Sequence, residues 1–228
     1  MKRPFILAGI IGMCVIAISV VLLMVFPGRA IKTPPGFFTP IIAFEFIQTP
    51  QEVMDLFGPP ESPTHQELIR AMDLGNRIDF LYMVLYNAFL FVFCRKVASL
   101  MGRKAYLLGS VMAIVILAGD FFENIQLLGI TSRLDSNGFE PQLALLRVFT
   151  WQKWGGIVVV FLILLPYFLK GSILPRIIAA CSALSAVLGV MAFMHHGMAN
   201  EFFSLSVALV FLLMISYSLL YHEPGRHA

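Results

Sequence analysis

Apolar residues run in blocks too long and too continuous for an amphipathic helix or an alternating strand. The blocks are approximately Phe5–Phe26, Ile78–Cys94, Ala105–Ile130, Leu145–Leu169, Ile177–His195 and Phe202–Tyr221. Each is near the roughly 20 residues that a bilayer core requires of a helix. The pattern predicts an all-α fold: a polytopic membrane bundle of six transmembrane helices forming one domain over residues 1–228. The first block follows Met1-Lys2-Arg3. Its apolar run exceeds the ~7–15 residues of a cleaved signal's hydrophobic region, so it reads as a signal anchor retained as the first span.

Polar segments alternate with the blocks. Residues 28–77 are the longest, and they carry their own helical signals. Thr49-Pro50-Gln51-Glu52 offers an N-cap, a proline at the first helical position and a capping-box glutamate, with Gly58 as the stop. Thr64-His65-Gln66-Glu67 repeats the cap, predicting a second short helix that bends at Gly75 into the second span. Phe37–Ile47 is too short to cross a bilayer and suits a lid or interfacial segment. Its Glu45 either faces water or turns into the bundle. The whole segment is expected to pack on the outer end of the bundle.

Composition supports the membrane reading: 59% of residues are hydrophobic and 13% charged, with a mean hydropathy of +0.85. The net charge of +3 sits mainly in short clusters, Lys2-Arg3, Arg95-Lys96 with Arg103-Lys104, Lys170 with Arg176, and Arg226. If six helices alternate, these clusters share one side. The positive-inside rule then puts both termini in the cytoplasm and leaves residues 28–77, Thr131–Ala144 and His195–Glu201 outside. Basic clusters of this kind orient membrane helices, so no nucleic-acid partner is expected; the expected partners are the lipid bilayer and a membrane protein or lipid. Cys14, Cys94 and Cys181 are scattered and odd in number, giving neither a disulfide framework nor a zinc motif.

Against this apolar background, Asp120, Glu123 and Asn124 stand three and four residues apart on one face of the third span. Ionisable groups inside a span need a partner or a wet cavity. At ~1.5 Å per residue, Asp79, Asp120 and Lys153 all fall about 24–26 Å from their basic-loop markers Arg95, Lys104 and Lys170, so three helices put charge in one outer plane. Tyr82, Tyr86 and Asn87 continue the Asp79 face inward; tyrosines at such a level are commonly belt residues, as are Trp151 and Trp154. His195, His196, Asn200 and Glu201 reach a similar height.

The two carboxylates on the third span call for a cation, a proton or a metal. Lys153 or Arg147 on the fourth span is nearest by depth. The candidate cluster is therefore Glu45, Asp79, Tyr82, Tyr86, Asn87, Asp120, Glu123, Asn124, Arg147 and Lys153. Candidate metal ligands are His195, His196, Asp120 and Glu123. A structural ion-pair network and a ligand site both use these groups.

The succession Asp79-x-x-Tyr82-x-x-x-Tyr86, Asp120-x-x-Glu123-Asn124 and Lys153-Trp154 resembles a family of uncharacterised bacterial multi-pass membrane proteins, over about Ile42 to Gly156. The resemblance implies an inner-membrane location and names no substrate or cofactor. Three functional classes are open to the chain. One is a binding or accessory protein whose polar layer holds an ion, a lipid headgroup or a partner helix. The second is a membrane-embedded, metal-dependent hydrolase, against which the adjacent histidines and the lack of an H-x-x-x-H pair weigh. The third is an ion-coupled transporter, against which the one-sided placement of charge weighs.

Overall fold

A computed structural model describes residues 3–136 and 138–222; Lys2 and Arg226 of the basic clusters lie outside them. Among the described residues there are eight α-helices and no strand: α1 Ile6–Val25, α2 Pro40–Glu45, α3 Pro50–Phe57, α4 His65–Met101, α5 Leu107–Thr131, α6 Glu140–Phe168, α7 Ile173–Met194 and α8 Met198–Leu220. Six of them are long and apolar enough to cross a membrane. The chain is an integral membrane protein, an all-α bundle of six spans.

The spans close into a ring. α1 packs on α4, α4 on α5, α5 on α6, α6 on α7, α7 on α8, and α8 returns to α1. Inside the ring, Phe89, Phe93, Phe161, Leu164, Phe168 and Val210 are fully buried. The outward faces of α1, α5 and α7 keep exposed aliphatic side chains such as Leu23, Ile114 and Val190, the surface expected of a protein solvated by lipid.

α3 forms as the sequence implies, because both halves of the capping box are made. The Thr49 hydroxyl accepts from the Glu52 amide at 3.2 Å, while Glu52 Oε2 accepts from the Gln48 and Thr49 amides at 2.8 and 3.0 Å. The second predicted cap is not made. Thr64 has helical dihedrals and its hydroxyl pairs with Ser62, 3.0 Å away, so the start of α4 is held instead by buried His65, whose Nδ1 reaches the Phe57 and Gly58 carbonyls at 3.1 and 3.0 Å.

Nor does the chain bend at Gly75. α4 is one helix of 37 residues, about 55 Å long at the standard rise, so its first turns stand proud of a ~30 Å bilayer core. The glycine serves contact rather than curvature: a Cβ there would lie 2.2 Å from the Phe26 ring, which packs against the bare backbone at the end of α1.

Residues 28–57 fold over one end of the ring. Their backbone doubles on itself where the Ile31 and Lys32 amides donate to the Leu56 and Asp55 carbonyls at 3.2 and 3.1 Å. α2 touches α5, α6 and α8, and Phe44, Ile47, Val53, Leu56 and Phe57 are buried beneath the cap. Gly36 and Gly197, at φ +86° and +113°, approach so closely that a Cβ on either would fall 2.7 or 2.6 Å from backbone of the other segment. The opposite end of the ring carries the basic loops and the Arg3–His222 contact of 2.9 Å that ties the first span to the last.

Candidate functional site

Directly beneath the cap, Lys153 of α6 is surrounded by acids. Its Nζ lies 3.0 Å from Glu45 Oε2 on α2 and 3.6 Å from Asp120 Oδ1 on α5, and it forms a close ion pair with Glu123, also on α5. Side-chain exposure is 8% for Lys153, 13% for Glu45, 2% for Asp120 and 0% for Glu123. Three carboxylates thus converge on one ammonium, in surroundings where screening by water is small.

The spacing of α5 explains the convergence on its side. Asp120 and Glu123 are three residues apart and share a face, and Gly119 beside them lets Gln152 of α6 approach to where a Cβ would meet it at 3.0 Å. Gly156, one turn below Lys153, takes Ile116 in the same manner, whereas Gly155 has no neighbour within reach and is not a packing position. Close α5–α6 packing brings the lysine within reach of both acids.

Each acid has a further, different partner. Tyr86 of α4 donates a short hydrogen bond to Asp120 Oδ2. The Trp154 indole N–H donates to Glu45 Oε2 at 2.9 Å, and Thr150 Oγ donates to the Glu45 backbone carbonyl at 3.0 Å. Asp79 accepts from Asn124 Nδ2 at 2.7 Å, a fourth carboxylate alongside the other three. Glu123 Oε1 and Asp120 Oδ1 are buried without a hydrogen-bond partner among the described residues.

Of the residues expected to cluster, the structure therefore brings Glu45, Asp79, Tyr86, Asp120, Glu123, Asn124 and Lys153 together. Tyr82 sits at the edge, its ring tilted against that of Tyr86 with centroids 5.4 Å apart. Asn87 is buried but spends its amide on the Met83 carbonyl of its own helix at 2.8 Å. Arg147 does not join the cluster. It is exposed, two turns of α6 nearer the cap end than Lys153, because a helix carries residues six apart to different heights and faces.

The histidines also stay apart. His195 is exposed at the end of α7, while His196 lies with Nε2 3.4 Å from Glu52 and its ring edge-on to Phe37. Burial pulls the His196 imidazole below the usual histidine range, and Glu52 partly opposes this. Among the described residues, no group of three or more His, Cys, Asp and Glu side chains is arranged to hold a metal ion. The three cysteines are free.

Two contacts were not legible in the chain. Trp154 is a cluster donor rather than a belt anchor, a role that needs Glu45 opposite it. Glu201 in the first turn of α8 is buried, and its Oε1 accepts from the Phe38 and Thr39 amides at 3.0 and 2.7 Å, so it caps the start of α2 from another helix. The six-residue lid helix is consequently fastened by a carboxylate at each end, Glu201 at its start and its own Glu45 at its finish.

Comparison of the chain with protein-family models, curated proteins and solved structures returns no match. Function is read from the side chains alone.

Proposed function

We propose that this is a bacterial inner-membrane binding protein whose cluster beneath the cap holds a small cation, the proton first, without breaking a bond. The observation that carries the reading is charge balance in a dry space. Glu45, Asp79, Asp120 and Glu123 place four carboxylates around one lysine, and Glu123 Oε1 is buried with neither a hydrogen bond nor an ion pair among the described residues.

Burial disfavours each uncompensated carboxylate. The Lys153 ammonium already fills the point at which the acids converge, the place a metal ion would take. A proton on a carboxyl oxygen needs no further space, and it turns an unpartnered acceptor into a donor. The basic loops, together with the resemblance in the Asp79, Asp120 and Lys153 motifs, support an inner-membrane location with both termini in the cytoplasm and the cap outside.

Infrared difference spectroscopy of the reconstituted protein tests the reading. A carboxylic-acid band should titrate with pH, and it should shrink in Glu123→Gln. Metal analysis of the same preparation separates proton from metal: a stoichiometric metal would make the cluster a metal-cation site. The absence of both a titrating carboxyl and a bound ion would overturn the proposal. For orientation, a reporter fused after Ala228 should be active on the cytoplasmic face.

A further inference from the structure

Resting on the cation-binding reading, we infer that the cluster exchanges its proton with one side of the membrane only, the cap side. The route is a groove that ends on Glu45, and Arg147 stands in it as an electrostatic filter.

Two adjoining hollows lie between the α2–α3 connection and the first turns of α6. The outer one is lined by Gln48, Pro50, Glu140, Leu143 and Arg147. The inner one has room for about one water, some 10 Å³, and is lined by Gln48, Arg147, Thr150, Trp151, Asn200 and Glu45 itself. Of the acids that touch Lys153, Glu45 alone lines either hollow, and it is the least buried of the three. A proton arriving along the groove meets Glu45 first. Lys153 bonds Glu45, Asp120 and Glu123 in turn, so it is the shared neighbour through which a change on Glu45 reaches the two deeper acids.

The other direction is closed by packing. Below Tyr86 and Asp120 the ring interior is filled by Phe89, Phe93, Phe161, Leu164 and Phe168, all fully buried. Ring contacts run from Tyr86 to Phe211, from Phe211 to Phe89 and Phe161, and from Phe93 to Phe168, at 5.7–6.0 Å between centroids. Between Phe89 and Phe168 these rings offer a proton no polar group on which to travel: Asn87 above them spends its amide on the Met83 carbonyl, and the Tyr167–Tyr217 hydroxyl pair lies at the basic-side end of the stack.

Arg147 lines both hollows and makes no ion pair among the described residues. A guanidinium there lowers the local concentration of metal cations, whereas protons are also delivered by water and by buffer. The remaining charged or titratable groups near the entrance are Glu140 at the rim, His196 with its Glu52 partner, and Glu201 at the start of α2. Beneath Glu45 stand Lys153, Asp120, Glu123, Asp79 and Tyr86.

Trp154 supplies the probe, since its indole bonds Glu45 directly. In a Trp151→Phe background, Trp154 is the single tryptophan. Its fluorescence is followed after a pH jump applied to the cap side or to the basic side of vesicles of known protein orientation. The signal should follow cap-side pH and ignore basic-side pH. Glu45→Gln, which keeps an acceptor for the indole, should slow the infrared carboxyl response by about tenfold or more, the lower end of what local charge does to capture rates. Millimolar Ca2+ should leave the wild-type titration in place and shift it in Arg147→Glu.

Equal response from both sides overturns one-sided access, and this needs no variant at all. An unchanged rate in folded Glu45→Gln removes Glu45 as the entry acid. Wild type as sensitive to Ca2+ as Arg147→Glu removes the filter. In all three cases a titrating cluster leaves the cation-binding reading standing, and only a cluster that never titrates takes both down.

Discussion

Glu45 and Lys153 are 108 positions apart in the chain and 3.0 Å apart in the fold. The contact joins the last residue of α2 to the middle of the longest face of α6. It makes the cap part of the buried charge network, and it couples the position of a six-residue helix to the charge state of three acids.

Lys153→Met should destabilise the bundle by about 3–5 kcal/mol, the usual cost of removing one partner from a buried ion pair. Glu123 would be left fully buried against a thioether. Adding Glu123→Gln should recover a substantial part of that loss, whereas two unrelated sites would give additive costs. Reversible unfolding in mixed micelles measures the cycle, and strict additivity would contradict the pairing.

Trp154→Phe keeps an aromatic ring against Phe46 and Phe203, which lie 5.8 and 5.5 Å from the indole, and deletes the N–H that bonds Glu45. The expected cost is about 1.5–3 kcal/mol, the range for a hydrogen bond to a charged group. Trp151→Phe deletes an N–H with no comparable partner and should cost less. Thermal unfolding of the two variants side by side decides between them.

The cap should loosen without unfolding the bundle when its fastenings are cut. Gly36→Ala forces a side chain onto a backbone at φ +86° and against the Met198 amide at 2.7 Å. Glu201→Gln weakens two backbone hydrogen bonds at the start of α2. Both should raise hydrogen exchange over residues 36–47 while α5 and α6 stay protected; protection lost equally in α5 would show that cap and core unfold together.

Acid should weaken cap docking through His196. Burial holds its folded pKa below the ordinary value of 6.5, so the unfolded or undocked state binds the proton more readily. Above about 6.5 both states are neutral and nothing changes. As pH falls through that value the docked cap loses stability, and the loss levels off below the folded pKa. Asp55 on α3 acts in a lower window: Lys32 and Gln51 hold its carboxyl below the ordinary value of 3.8, so its contribution is whole above that value and is lost as the pH falls from there through the lower folded pKa. His196→Gln should flatten the change in cap exchange rates below about pH 6.5; an unaltered pH profile would assign it elsewhere.

Chain pattern and tertiary packing divide the molecule between them along physical lines. Six spans were legible because the bilayer sets a length that an uninterrupted apolar run must meet, and because helical rise is constant. The same constancy put Asp79, Asp120 and Lys153 at one height before any contact was known, and the three-residue step from Asp120 to Glu123 put both on one face. The capping box at Thr49 and Glu52 is local, made within four residues, and so could be read directly. Thr64 and Glu67 carry the same letters, yet Ser62 takes the hydroxyl and His65 holds the turn, a choice made by how α3 folds back on α4. Gly75 read as a bend because isolated glycine weakens a helix, while the fold uses it as the floor on which Phe26 rests. Arg147 and Lys153 were both candidate partners by approximate depth, but six residues of α6 separate them by about 9 Å and turn them to different faces, and the packing of α5 on α6 selected the lysine. Whether Glu45 faced water or protein depended on where a six-residue helix came to lie on α5, α6 and α8, and that is set by contacts far along the chain, 105 to 109 positions away on α6 and 162 to 163 on α8.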